Sequence, residues 1–297
     1  MQICLLHLDD ALTHQKDFVA SCETHKARQL NIMAEGQHIR LWGKNGRLTP
    51  ISAAVHRAFF VGNDDGPRLC FMGSGDFHHV TALLLEATLE KQAGPVTVIH
   101  FDNHPDWVHF NGGMHCGSWV NRVAAHENIA KVITIGVCSN DLEKPNISLL
   151  SQGKLELFPY NYDSKHVEWP TIARMGEAAF IEKLLSRIPT KDVYITLDKD
   201  VLAREDCESN WDQGVMRLPY LVSLLRAISS QHKIIGADIT GDYSRPVYAG
   251  NIWTRILKRG EVFLDQPFSS PAEEEAAHLN SRTNHILLDV FSEVMPS

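Results

Sequence analysis

The sequence predicts a three-layer α/β protein: a doubly wound, mostly parallel sheet with helices on both faces. Three observations carry this. Short, β-branched, nearly unbroken apolar runs recur along the chain, as in strands buried on both sides. Segments with apolar residues at helical spacing separate them. No repeat, low-complexity tract or interdomain linker interrupts the alternation, so residues 1–297 read as one α/β unit.

In chain order, MQICLLHL reads as a first strand, since it lacks the basic and long apolar regions of a signal peptide. Val55–Val61, Val96–Phe101, Lys131–Val137, Asp192–Leu197 and His232–Ile239 follow as strands, and Leu69–Met72 is a further apolar run that meets a Gly-Ser-Gly turn. Val80–Lys91, Gly176–Arg187 and Pro219–Ile228 have helical spacing, and Pro219 suits a first helical turn. Ser139–His166 has mixed polarity and shows no clear element. Ser269–Glu275 reads as a loop in which Ser270, Pro271 and Glu273 to Glu275 open a C-terminal helix.

Composition narrows the function. Apolar residues at 44% provide for a large core. The 28 Lys and Arg against 36 Asp and Glu, with no basic cluster, argue against a nucleic-acid or anionic-membrane surface. No stretch approaches the ~20 apolar residues of a membrane span. Six scattered cysteines without a CxxC pair read as reduced thiols. A cytoplasmic protein with a small-molecule substrate is therefore expected. The 16 histidines are more than an average chain carries, and some of them ask for a reason.

Val96–Phe101 runs into Asp102-Asn103-His104-Pro105-Asp106. If the chain stays extended, residues 102, 104 and 106 point to one side, at the carboxyl end of a strand where ligands bind in open α/β sheets. Asp192–Leu197 ends in Asp198-Lys199-Asp200, whose carboxylates share a face while Lys199 points away. Either motif alone would serve equally to cap a helix or to face water. On two parallel strands of one sheet, uncompensated carboxylates repel, and cations relieve that. His78 or His79, after the Gly-rich turn, would reach the same strand ends. Four carboxylates and two imidazoles match two divalent ions, Mn²⁺ first, with Ni, Co, Fe or Zn as alternatives. Such a pair activates a water at neutral pH.

The order GSGDFHH, FDNHPD, GGMHCGSW, LDKD, ADITGD resembles the ureohydrolase (arginase/agmatinase) superfamily, whose fold is shared with deacetylases. The resemblance spans about residues 70–245 and implies hydrolysis of a C–N bond in a guanidino, amidine or related small molecule. By it, Asp102 and Asp198 bridge both metals, Asp106 with His79 or His78 completes one site, and His104 with Asp200 completes the other. Ungapped spacing selects His79, the preferred of the two; keeping the Gly-Asp turn aligned selects His78. Asp106 would carry the proton to the leaving amine, and His115 stands at the family's loop histidine. Gly241 occupies the place of the family's guanidinium-binding glutamate, and the adjacent Asp242 is the candidate to replace it. Asn210 and Asp212 are placed at the substrate pocket, with Trp211 between them. Alternatives are an amide deacylase of the same fold or a non-catalytic, metal-bound descendant. Relatives form homo-oligomers, which this sequence does not test. The expected metal content is about two equivalents per chain. Elemental analysis should find them lost when Asp102→Ala and Asp198→Ala are combined.

Overall fold

The computed structural model describes all residues except 63–65, 147, 149, 151, 162–169, 268–270 and 297. Its strands are β1 (Gln2–His7), β2 (Arg28–Asn31), β3 (Trp42–Lys44), β4 (Arg68–Phe71), β5 (Val96–Phe101), β6 (Gly113–His115), β7 (Ile129–Ile135), β8 (Leu155–Phe158), β9 (Asp192–Asp198) and β10 (Lys233–Thr240). Eight of them form one sheet in the order β2-β1-β4-β10-β9-β5-β7-β8, while β3 and β6 pair separately. Every neighbouring pair in the large sheet is parallel.

Parallel neighbours need crossover helices, and these bury both faces. One face packs on the helices Lys16–Thr24, Glu177–Arg187, Leu218–Gln231 and Glu273–Val294, where Phe18, Phe180, Leu221 and Leu287 share a core with Leu5, Phe71, Ile99 and Ile195. The other packs on Asn45–Val55, Thr81–Leu89 and Trp119–Ala124, where Val55, Leu84 and Trp119 meet Leu6, Cys70, Val98 and Tyr194. Double-sided burial explains why β5, which is buried at every position, is the plainest strand in the sequence. The edge strand β2 alternates half-buried and exposed residues and does not stand out there as an apolar run.

β5, β7, β9 and β10, the helices Thr81–Leu89, Glu177–Arg187 and Leu218–Gln231, and the N-terminal strand agree with the sequence reading, and Pro219 lies in a first helical turn; Trp119–Ala124 and Ile252–Asp265 are helices absent from that reading. Val55–Val61 does not. It continues the helix Asn45–Val55 through a wide helical turn, His56–Phe60. Ile51, Val55 and Phe59 lie four apart and are all buried, so this short apolar run fits helical spacing as well as strand spacing. The side chains of Arg28 and Arg68 take carbonyls of the turn at Ala58, Val61 and Phe59. The C-terminal helix begins at Glu273 after Ala272, with its acidic first turn as expected, while Ser270 lies outside the described residues. Within Ser139–His166 the described part holds a short turn at Asn140–Glu143 and strand β8; residues 162–166 lie outside.

All six cysteines are free thiols. Among the described residues, no helix is long and apolar enough to cross a membrane. The helix Ile252–Asp265 is unusual in burying only Lys258, whose Nζ donates to the His38 and Trp42 carbonyls at 2.9 Å each.

The central strands β4, β10, β9 and β5 present their carboxyl ends side by side. The chain leaves β7 through Gly136, at φ 105°, where an added Cβ would come within 2.3 Å of Val201 in the turn after β9. Gly136→Ala should therefore cost about 1–3 kcal/mol from strain and overpacking, read as a lower urea midpoint at unchanged slope.

Candidate metal centre and cavity

Two local turns, and not a continued strand, gather the Asp102 motif. The Asp102 carboxylate accepts the His104 N–H at 2.6 Å, and Asp106 adopts a left-handed backbone, φ 49°. A left-handed non-glycine residue costs about 1–2 kcal/mol, so the surroundings must hold it there. The indole Nε1–H of buried Trp119 does so by donating to Asp106 Oδ2. β9 ends at Asp198, whose Oδ1 accepts the Asp200 N–H at 3.1 Å and tightens the turn Lys199–Val201. Lys199 points away, as the alternation requires.

Between these strand ends stands His78. Its Nδ1 is 3.0 Å from Asp102 Oδ2, 3.1 Å from Asp106 Oδ2 and 3.5 Å from Asp198 Oδ2. None of the three oxygens lies in line for a hydrogen bond from that nitrogen. On its far side, Nε2 is 2.9 Å from Thr196 Oγ1, and the Thr196 hydroxyl donates to Asp238. With that hydroxyl hydrogen committed, His78 Nε2–H is the donor and Nδ1 faces three carboxylates; burial opposes a charge on the ring, but Asp102 and Asp106 beside it outweigh that and raise the imidazole well above its ordinary range. His104 lies in a similar setting but in line on both sides: Nε2 is 2.9 Å from Asp212 Oδ1, and Nδ1 is in hydrogen-bonding position to Asp200 Oδ2 at 2.9 Å, with Asp102 Oδ1 3.5 Å away. Asp102 thus turns one oxygen to each histidine.

His79 is elsewhere. It is fully buried, has no partner on either ring nitrogen, and does not line the cavity. Burial holds its basicity well down. The ungapped count fails because Phe77 takes a buried core slot and the turn continues for one more residue, which brings His78 to the carboxylates.

Burial first, and then the charge of Asp102, pushes the Asp198 carboxyl up to about 7 and raises Asp106 also. Burial, then Asp198 and Asp102, raises Asp200 well above the usual range. Asp102 goes the other way: burial opposes its ionisation, but the His100, His104 and His78 imidazoles beside it outweigh that. His78 with Asp102 and Asp106, and His104 with Asp102 and Asp200, form two groups whose donor atoms could each hold a cation. Imidazole nitrogens turned among buried carboxylates, and drawn toward protonation by them, fit ions that would take the place of those protons. Imidazolium rings would offset two of the four charges, while two divalent ions match all four.

A cavity of about 600 Å³ opens onto these groups, walled by Trp107, Trp211, Pro105 and Leu264. His115 lines it, with Nδ1 accepting the Gly117 N–H at 2.9 Å and Nε2 against Glu261 Oε1. Asp212 lines it too, but Oδ1 is engaged by His104 and Oδ2 accepts from Asn103 at 3.1 Å, so it backs a histidine. Two sequence-derived substrate residues are not at the cavity. Asn210 is buried between Ser74 and Ser244, bonded to both. Asp242 is buried in an ion pair with Lys199 and a bond from Asn284. Gly241, at φ 96°, turns the chain away, and any Cβ there would strike Asp198 and Lys199.

The structure adds residues that the motifs did not announce. His100, one alternation before Asp102 on the same face of β5, contacts that carboxylate, and period-two spacing alone could have flagged it. Asp265 reaches the cavity from the helix Ile252–Asp265, whose Glu261 contacts the lining His115, and Asp141 reaches it from the turn after β7. Buried Asp76 of the Gly-rich turn receives Arg40 Nε at 2.6 Å, Gln266 Nε2 at 2.7 Å and Trp211 Nε1 at 2.9 Å, tying three cavity-forming segments together.

Comparison with known proteins agrees with this fold. The family model described as the arginase family matches residues 13–241. The chain belongs to the arginase family. An uncharacterised protein of Thermotoga maritima is 29% identical over 172 residues, 58% of this chain and 57% of that protein. The match therefore spans little more than half of that relative's length. Among solved structures, arginase from Bacillus subtilis superposes with a TM-score of 0.61 at 13% identity, covering 100% of this chain and 99% of that one. Formimidoylglutamase from Bacillus subtilis gives 0.57 at 16%, covering 96% and 86%, and proclavaminate amidino hydrolase from Streptomyces clavuligerus gives 0.55 at 15%, covering 95% and 92%. These likenesses establish a shared fold.

The electrostatics set a pH dependence. A carboxyl raised from 3.8 to about 7 in the folded chain, as Asp198 is, weakens that state progressively as pH rises from about 4 through 7. Chelator-stripped protein should thus melt below metal-loaded protein, with a larger gap at pH 8 than at pH 6. Calorimetry at both values checks this.

Proposed function

We propose that this protein is a metal-dependent hydrolase that cleaves a C–N bond in a small guanidino or amidino cation. His78, Asp102, Asp106, Asp198, His104 and Asp200 would hold two divalent ions. The observation that carries the reading is the convergence of one nitrogen from each of His78 and His104 on buried carboxylates that no lysine or arginine of the described lining neutralises. Four carboxylates with two imidazoles keep Mn²⁺ as the first expectation. Ions in that place supply Lewis-acid charge and lower the pKa of water toward neutrality.

The chain's own residues divide the remaining work. Asp106, raised by burial and by Asp102, is poised to hold a proton and pass it to a leaving nitrogen. His115, kept in one orientation by Gly117 and Glu261, is the adjoining proton-handling group. Trp107 and Trp211 give flat walls against which a planar amidinium packs.

Substrate charge follows from the lining. Beyond the six candidate ligands, the described lining carries Asp141, Asp212 and Asp265 and no lysine or arginine. A carboxylate-tailed substrate would meet only like charge there, whereas an amine or neutral tail is favoured. A second reading, deacylation of a small amide, draws support from Gly241, which leaves no carboxylate at the family's guanidinium position.

Metal-loaded protein assayed on guanidines, amidines and amides, with and without a carboxylate tail, separates these readings. Turnover of cationic-tailed guanidines or amidines should exceed that of their carboxylate analogues by ~10-fold or more. Asp106→Asn and His104→Ala should each reduce it by ~100-fold or more. Turnover of amides alone would favour the deacylase. No turnover of any class, with metals bound, would make this a binding protein.

A further inference from the structure

His100 has no part in the ligand set above, yet it is fully buried at the centre of it. Its Nε2 lies 2.8 Å from Asp102 Oδ2, and its Nδ1 lies 3.0 Å from Thr134 Oγ1 on the neighbouring strand β7, in register with it. The ring stands edge-on to Trp119 at 4.9 Å and to His78 at 5.1 Å. By distance alone it could be counted as another metal donor, since its nitrogen clusters with those of His78, Asp102 and Asp106.

The angles distinguish the two imidazoles that share Asp102 Oδ2. His78 Nδ1 is close to that oxygen but out of line for a hydrogen bond, as a ligand beside another ligand would be. His100 Nε2 is close and in line. We infer that His100 is a positioning residue for Asp102: Thr134 Oγ–H donates to Nδ1, which leaves Nε2–H to donate to Oδ2. The bond fixes the rotamer of the one carboxylate that turns an oxygen to each histidine group. No other described residue can replace it, because the Trp119 indole is already committed to Asp106. This inference rests on the two-ion reading above for its consequence, and on the hydrogen-bond geometry for its substance.

The test uses Co²⁺ binding to the full chain, followed by visible absorption, with His100→Phe and His100→Gln beside the wild type. Loss of an outer hydrogen bond to a ligand weakens metal binding by ~10–100-fold, so His100→Phe should bind Co²⁺ that much less tightly. The saturated spectrum should keep its wild-type intensity, since no ligand is lost. His100→Gln, which retains an amide donor, should recover most of the affinity; a purely space-filling role would not respond to it. Wild-type affinity in His100→Phe would overturn the inference. So would a saturated spectrum that shows one nitrogen ligand fewer, because His100 would then be a ligand. If His100→Phe does not fold, Thr134→Val should weaken binding in the same direction, and unchanged affinity there would count against the inference. Failure of the wild type to bind any metal would sink the two-ion reading instead. Nitrogen-15 shifts of the His100 ring would still decide the inference in metal-free protein: Nε2 protonated supports it, Nδ1 protonated overturns it.

Discussion

Four carboxylates withdrawn from water within a few ångströms of each other constrain everything around them. No lysine or arginine approaches them within the cavity lining. Left alone, they must take up protons or push apart, and the raised Asp106, Asp198 and Asp200 carboxyls register that pressure. The neighbouring groups are arranged to keep them ready for cations. Backbone N–H groups of residues 104 and 200 bind Asp102 and Asp198, Trp119 holds Asp106, and Thr196 and Asp212 orient the two histidines.

A second buried charge, Arg40, organises the walls. It joins Asp76 to the carbonyls of Ser244 and Arg245, while Asp76 also takes Trp211 and Gln266. Trp211 stands edge-on to His104 at 5.5 Å as a result. Breaking one partner of such a buried pair leaves an uncompensated charge, which is why Arg40 and Asp76 form a structural unit with the cavity.

Much of the fold was legible because central parallel strands are apolar throughout, and β5, β9 and β10 advertise themselves. The Asp102 and Asp198 motifs were legible for a related reason: a carboxylate that ends a buried strand is conspicuous. What was hidden depends on turns and on distant contacts. Phe77 claims a core position and leaves His78 facing the carboxylates, as the alignment that keeps the Gly-Asp turn expects and the ungapped count does not. Asp242 sits next to the expected substrate position, but the left-handed Gly241 directs it to Lys199. His56–Phe60 fits two periodicities, and only the arginines that take its carbonyls show which one prevails. Asp265 meets the cavity, and Glu261 its lining His115, through a helix whose docking is a tertiary event.

That helix, Ile252–Asp265, follows the segment matched by the family, residues 13–241, and is fastened by polar groups, Lys258 on two carbonyls and Glu261 on Trp42 and His115. Its apolar side chains Trp253, Ile256 and Leu257 are exposed. The sheet therefore holds the carboxylates, while this helix supplies part of the entrance through Leu264 and Asp265. A changed residue on the helix reshapes the mouth of the cavity, and the carboxylates beneath it, anchored at the strand ends, keep their arrangement.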